Sequence, residues 1–360
     1  MSTRPNYRGS SRKLVIAFDI GTTYSGVSYS ILDPGLPPVV EGVTSFPGQL
    51  STRGDSKIPS IVCYDQSGKV CAVGSEATEE AFLDLAEDED FIKVEWFKLH
   101  MRPKHLSATH VHDSDVPPLP LNKTVIDVFA DFLQYLHACA VDYIKKSRDP
   151  QFWGSVEDNI DYVLTHPNGW EGFQQSQMRQ AAIRAGLITV HDEESRLQFV
   201  TGGEASLHYC INKGVMNGDA AVGQGIIVVD AGGGTIDLSA YANAASGGFE
   251  EVARTQCRLQ GSVYVTRRAE AYLEDRLKGS RYGNEQDVMH IISVDVMKQF
   301  FAPSIQGIIE AIQEQQKESR SPISSVLLVG GFAASEWLFS NLQSALAEMK
   351  LTLSRPDGFV

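Results

Sequence analysis

Residues 14–30 read LVIAFDIGTTYSGVSYS. The apolar run LVIAF predicts a buried strand, and the alternation in GVSYS predicts a second. Between them lies a tight turn, Asp19-Ile20-Gly21-Thr22-Thr23-Tyr24, with a carboxylate where it opens. Glycine lets backbone N–H groups come close to an anion. The same device recurs at 225–241, GIIVVDAGGGTIDLSAY. Asp230 opens that turn, Gly232, Gly233, Gly234 and Thr235 form it, and strand-like alternation follows. Two such turns far apart in sequence can close on one polyphosphate from both sides. A carboxylate repels phosphate, so Asp19 and Asp230 imply a bridging cation, Mg²⁺ by preference.

Outward from these turns, strands and helices alternate. Val125, Val128, Phe129, Phe132, Leu133 and Leu136 recur at helical spacing, and the spacing predicts a helix over 125–147. Thr124 and Asp127 make a capping-box start, and Lys145 and Lys146 suit the C-terminal dipole. DYVLTHP (161–167) predicts a strand, 172–187 a helix, and RLQFVTGGEASLHYCI a strand, a Gly-Gly turn and a helix opening at Glu204. Residues 266–278 and 295–318 predict helices, the second losing regularity at Pro303. SSVLLVGG predicts a buried strand, and Ser335 caps a further helix. Residues 34–120, rich in Pro, Gly and Ser, read as an inserted subdomain with strands in IPSIVCY and KVCAVG, a short acidic helix and the extended run FIKVEWFKLHM. The class is α/β in two lobes, 14–222 and 223–360, after a disordered tail over 1–13.

At 360 residues the chain can form two cores. A net charge of −14 argues against a nucleic-acid surface. No apolar run reaches the roughly 20 residues of a membrane span. Five scattered cysteines without a C-x-x-C fit a reducing, cytoplasmic setting. His100, His105, His110 and His112 near Asp113 read as a polar loop rather than a metal site. The four tryptophans share no spacing and read as packing.

There is no G-x-x-x-x-G-K-[ST], so the turns are not a P-loop. Neither runs into a helix, so they are not a dinucleotide fingerprint. Either alone would pass for an ordinary hairpin turn; the pair carries the phosphate reading. At these residues the chain resembles the actin-like ATPase superfamily, in particular the seventy-kilodalton heat-shock chaperones. AFDIGTTYSGVSYS resembles their first phosphate segment, VVDAGGGTIDLSAY the second and VLLVGGF the adenosine segment. FDIGTTYSGVSYS, the FKL segment and SRPDGFV are similar to the divergent twelve-type branch.

The resemblance implies duplicated ribonuclease-H-like lobes with ATP or ADP in the cleft between them. It implies that Asp19, Asp230 and Asp237 hold Mg²⁺. It implies that Gly21, Thr22, Thr23 and Tyr24, with Gly232, Gly233, Gly234 and Thr235, bind phosphate. Gly330, Gly331 and Phe332 would bind adenosine. Lys98, Glu204 and Asp230 would be catalytic, and Pro167 and Arg179 would be the interdomain switch pair. In the family, the stretch matching 261–323 is a subdomain covering adenine with basic side chains. Here it holds two helices and a link, with Arg267, Arg268 or Lys278 as substitutes, and no peptide-binding domain precedes Val360. The implied function is an ATP-binding chaperone-type ATPase of slow turnover with protein clients or co-chaperones. Two other readings stand beside it: a non-catalytic, nucleotide-responsive interaction protein, and a sugar kinase on the same fold. Filament formation rests on fold alone.

Overall fold

The computed structural model describes residues 4–49, 56–103, 116–170, 172–212, 223–244, 248–278 and 293–356. The chain divides into two compact units, Met1–His166 with Trp170–Ala205 and Pro167–Gly169 with Ser206–Val360.

In the first unit the hairpin β1 (Lys13–Ile20) and β2 (Tyr24–Leu32) forms as the sequence predicts. It continues through β3 (Val39–Gly42) and β4 (Lys57–Pro59). A separate three-stranded sheet follows, ordered β6-β5-β7 from β5 (Ile61–Tyr64), β6 (Val70–Val73) and β7 (Ile92–Glu95). Helix α1 (Glu80–Asp88), inserted before β7, buries no side chain, as an acidic solvated face should. Helix α2 (Val125–Ser147) carries the expected reciprocal capping box between Thr124 and Asp127. Then come β8 (Ile160–His166), α3 (Phe173–Arg184), the single turn α4 (Glu193–Arg196) and β9 (Leu197–Thr201), while α5 (Gly202–Asn212) belongs from Ser206 onward to the second unit.

The second unit runs β10 (Gly225–Ala231), β11 (Ile236–Asn243), β12 (Phe249–Glu251), β13 (Gln256–Arg258) and α6 (Ser262–Leu277). It continues with α7 (Val294–Glu318), β14 (Ile323–Val329), α8 (Glu336–Glu348) and β15 (Thr352–Ser354).

The two large sheets are one plan used twice. The first is ordered β3-β2-β1-β8-β9 with β4 on β2; the second is β12-β11-β10-β14-β15 with β13 on β11. In each, the hairpin is antiparallel and the next two strands run parallel to its first strand. This is the duplicated α/β architecture of actin-like ATPases.

Burial follows the strand patterns. In β1 only alternate residues are buried, and Leu14, Ile16, Phe18 and Ile20 join a core with Phe129, Phe132 and Leu133 of α2. Each such side chain contributes about 2 kcal/mol by leaving water. The continuous run of β10 is covered on both faces. Ile227 and Val229 meet Ile308 of α7 and Leu342 of α8, while Val228 meets Leu207 and Cys210 of α5. These cores hold both turns on rigid strands.

One expectation is corrected. Helix α7 passes through Pro303 without a break. A proline removes one backbone hydrogen bond without having to end a helix; beside it the Phe300 carbonyl accepts 2.6 Å from Nη1 of Arg268 on α6. That guanidinium also reaches Gln260 Oε1 at 2.5 Å. Arg268 therefore fastens α6 to α7.

Candidate functional site

In the first unit the turn after β1 gathers a cluster of charged groups. Asp19 Oδ2 accepts 2.9 Å from Lys57 Nζ, and its Oδ1 accepts 2.7 Å from the Thr165 hydroxyl at the end of β8. Lys98 is 6% exposed, donates 2.5 Å to the Ile20 carbonyl and sits 5.7 Å from the centre of the Trp170 ring. The expected extended run over 91–101 is interrupted at Trp96, whose φ of 54° is left-handed. That is unusual for a bulky side chain. It turns the chain into the tight helical turn Phe97–Met101, from which Lys98 reaches inward. The neighbouring Lys93 pairs instead with Glu95. Burial alone would raise the Asp19 carboxyl, but Lys57, Lys98 and Thr165 bring it down to about 2.

The turn itself is tight. A Cβ on Gly21 would lie 2.2 Å from the Tyr24 carbonyl. Ser60 braces it: its N–H donates to the Thr23 carbonyl at 2.8 Å and its hydroxyl to the Gly21 carbonyl at 2.9 Å. Thr22 is buried and Tyr24 exposed.

In the second unit Asp230 and Asp237 are directly opposite in the β10–β11 ladder. Asp237 is buried and accepts neutral donors, the Thr235 hydroxyl, the Cys257 thiol and, at 2.8 Å, the Asn168 N–H. Burial, and then the Asp230 charge, push its carboxyl up to about 7. Asn168 belongs to this unit and also donates through Nδ2 to the Leu238 carbonyl and Ser239 hydroxyl, both at 3.1 Å. The carbonyls of Gly234, Gly232 and Gly233 accept from the N–H groups of Gly261, Ser262 and Val263, where α6 begins. The turn's carbonyls are thereby committed. Among the described residues no backbone acceptor takes the N–H of Gly233 or Gly234.

Gly330 follows β14 with φ 89°, and a Cβ there would lie 2.4 Å from Asp230 Oδ1. Only glycine allows that approach. Gly331 borders open space, while Phe332 is buried in the core, its ring 6.0 Å from that of Phe301. Arg355 ties this segment by donating to the Ala333 carbonyl at 2.8 Å.

Glu204 is exposed in the first turn of α5, its N–H donating to Thr201 Oγ1 at 3.2 Å. Arg179 lies 5.1 Å over the Phe199 ring. Arg268 is engaged as described, and Lys278 is exposed. His105, His110, His112 and Asp113 lie outside the described residues; His100 donates to the Pro117 carbonyl at 2.8 Å. Among the described residues no group of three or more His, Cys, Asp and Glu side chains could hold a metal, and no helix is long and apolar enough to cross a membrane. Lys57, Ser60, Thr165 and Asn168 escaped the sequence reading, because only strand pairing and chain crossing bring them to the turns.

No family model matches the chain. Three curated relatives do. Heat shock 70 kDa protein 12A of Mus musculus is 23% identical over 453 aligned positions, covering 93% of this chain and 66% of its own length. Heat shock 70 kDa protein 12A of Homo sapiens is 27% identical over 199 positions, 55% of this chain and 28% of its own. Heat shock 70 kDa protein 12B of Homo sapiens is 26% identical over 215, covering 58% and 30%. The chain spans less than two thirds of the length of each. The 453 positions of the mouse match exceed the chain's 360 residues, so that relative carries segments inside the match with no counterpart here. Over as much as 93% of its length the chain is thus similar to heat shock 70 kDa proteins of the twelve type.

Proposed function

We propose that the chain binds ATP with Mg²⁺ through its two hairpin turns, as an ATPase of slow turnover. One observation carries the reading: the same turn is built twice on the same sheet plan, with a buried lysine at the first and a carboxylate pair at the second. The donor set fits the metal. Two apposed carboxylates, one of them pushed up to about 7 by burial and by the other, are relieved by a divalent cation. Two carboxylates also suit Mg²⁺, which completes its octahedron with water and phosphate oxygens. When bound, the metal neutralises phosphate charge. The N–H groups of Gly233 and Gly234 receive phosphate oxygens, Lys98 supplies a positive charge at the first turn, and the open side of Gly331 leaves room for the nucleoside.

Calorimetric titration of ATP, with and without Mg²⁺, tests this. Binding that strengthens with Mg²⁺ is expected, and Asp230→Ala should lose most of that strengthening. No heat at millimolar ATP would sink the reading; an Asp230→Ala variant that binds Mg-ATP like the parent would sink the metal assignment.

The non-catalytic alternative is favoured by the exposed Glu204, whose side chain makes no bond to the Asp19 cluster among the described residues, and by the two helices α6 and α7 standing where the family places an adenine cover. Phosphate release followed over hours separates the two. Binding without release supports a nucleotide-responsive protein whose partners are protein clients or co-chaperones.

A further inference from the structure

We propose that Lys57 is a second phosphate-binding cation of this site and that Asp19 positions it instead of holding the metal. The inference rests on the ATP reading and refines it.

The two hairpins superpose residue for residue in register. Asp19 pairs with Gly26 across the first, Asp230 with Asp237 across the second. Gly26 is thus the positional counterpart of Asp237. On the outer side of β2, Gly26 is paired with Lys57 of β4; on the outer side of β11, Asp237 is paired with Cys257 of β13. A Cβ built on Gly26 would lie 3.3 Å from Lys57 Cγ and 3.7 Å from its Cε. The lysine stem therefore runs over the bare glycine, where the second hairpin carries its second carboxylate. Its ammonium ends 2.9 Å from Asp19 Oδ2. A cation of the protein stands at the first turn where the second turn offers a place for a metal.

The other Asp19 oxygen is engaged as well, by Thr165 at 2.7 Å. A carboxylate gripped at both oxygens is a poor further ligand for Mg²⁺ but a good anchor for an ammonium. The first turn then holds two ammonium groups, Lys57 and Lys98, against one carboxylate, whereas the second apposes two carboxylates. Phosphate oxygens are drawn to the first set and the divalent cation to the second. Lys57 keeps 22% of its side-chain surface, and Asp19 48%, so the pair remains open to a ligand on one side. A lysine with three donors can keep the Asp19 bond and still give one to phosphate.

The experiment is calorimetric titration of ATP, and of inorganic tripolyphosphate, in Mg²⁺ and in EDTA, on the full chain. The variants are Lys57→Met, Lys57→Arg, Asp19→Asn and Asp230→Asn, each checked by thermal melting. Lys57→Met should weaken both ligands about tenfold, in Mg²⁺ and in EDTA alike. Lys57→Arg should recover most of that. Asp19→Asn should keep the parent's ratio of affinities with and without Mg²⁺, and Asp230→Asn should lose it. Lys57→Met binding within twofold of the parent overturns the lysine assignment. Asp19→Asn abolishing the Mg²⁺ dependence as fully as Asp230→Asn returns Asp19 to the metal. Should Lys57→Met fail to fold, the Asp19→Asn ratio still decides. A parent that ignores ATP altogether removes the underlying reading, which is a different result from a parent that binds and a variant that binds equally.

Discussion

The first turn carries two lysines on one aspartate; the second sets two aspartates face to face. The strands beneath them are the same, in order, direction and register. They differ at one cross-strand position, glycine at 26 and aspartate at 237, at the residue paired outside it, Lys57 or Cys257, and in the lysine, Lys98, that reaches the first turn. A duplicated scaffold thus presents opposite charge through a few side chains without a change of fold. The turns differ in a second way. Gly21 is wedged against its own turn, with 2.2 Å from a built Cβ to the Tyr24 carbonyl, while the counterpart at Gly232 has 3.2 Å to the Thr235 carbonyl. A methyl group is excluded at Gly21 and crowded at Gly232.

The sharpest way to break that comparison is alanine at each position. Gly21→Ala must push a backbone carbonyl aside and should destabilise the protein by about 3 kcal/mol. Gly232→Ala should cost about 1 kcal/mol or less. Urea midpoints measure both. Equal losses would mean that the two turns are equally constrained.

Much of this was legible because it is local. The two turn sequences, the capping box at Thr124 and Asp127 and the cap at Ser335 each declare themselves within a few residues, and each forms. Lys98 was reached through the FKL resemblance, although its inward turn at Trp96 was not foreseen. Lys57 and Thr165 were not legible. Nothing near SKIPS says which strand it will pair with, and a slip of one residue would have turned Lys57 to the other face. Asn168 was hidden for a related reason: it follows a strand of the first unit yet spends its hydrogen bonds on β11 and β13 of the second. Pro303 misled because a proline costs one backbone hydrogen bond without having to end a helix, and α7 runs on through it.

The charge difference can be read from pH. Asp237 has a folded pKa raised to about 7, so its protonated form is the one that folding favours. Its contribution is fully present below the ordinary carboxylate range and is lost as pH rises through about 7. Without Mg²⁺, the parent should lose about 2 kcal/mol relative to Asp237→Asn between pH 5 and pH 8. Added Mg²⁺ should raise the melting temperature at pH 8 and leave it nearly unchanged at pH 5, where the carboxyl is neutral. Parallel melting curves for parent and Asp237→Asn across this range would remove the second turn's distinctive charge.

The smallest effect tests whether Asp19 and its donors act together. In the parallel pairing of β1 with β8, Phe18 faces Leu164; in that of β10 with β14, Val229 faces Leu328 and Asp230 faces Val329. Thr165 therefore occupies in the first unit the place that Val329 fills in the second. Thr165→Val imports the second unit's own residue and removes one of the two donors to Asp19 at nearly constant shape. At pH 7 the loss should be about 1 kcal/mol. The sign with pH is fixed by the direction of the Asp19 shift. Its pKa is lowered, so its contribution is present above the ordinary carboxylate value and is lost as pH falls through about 2. Without the Thr165 hydroxyl the carboxyl is held down less firmly, and acid unfolding should begin at higher pH. Lys57 remains in place, so ATP affinity should fall far less than in Lys57→Met. An unchanged acid midpoint together with unchanged stability at pH 7 would show that Thr165 is a bystander and that the lysine alone sets the charge of the first turn.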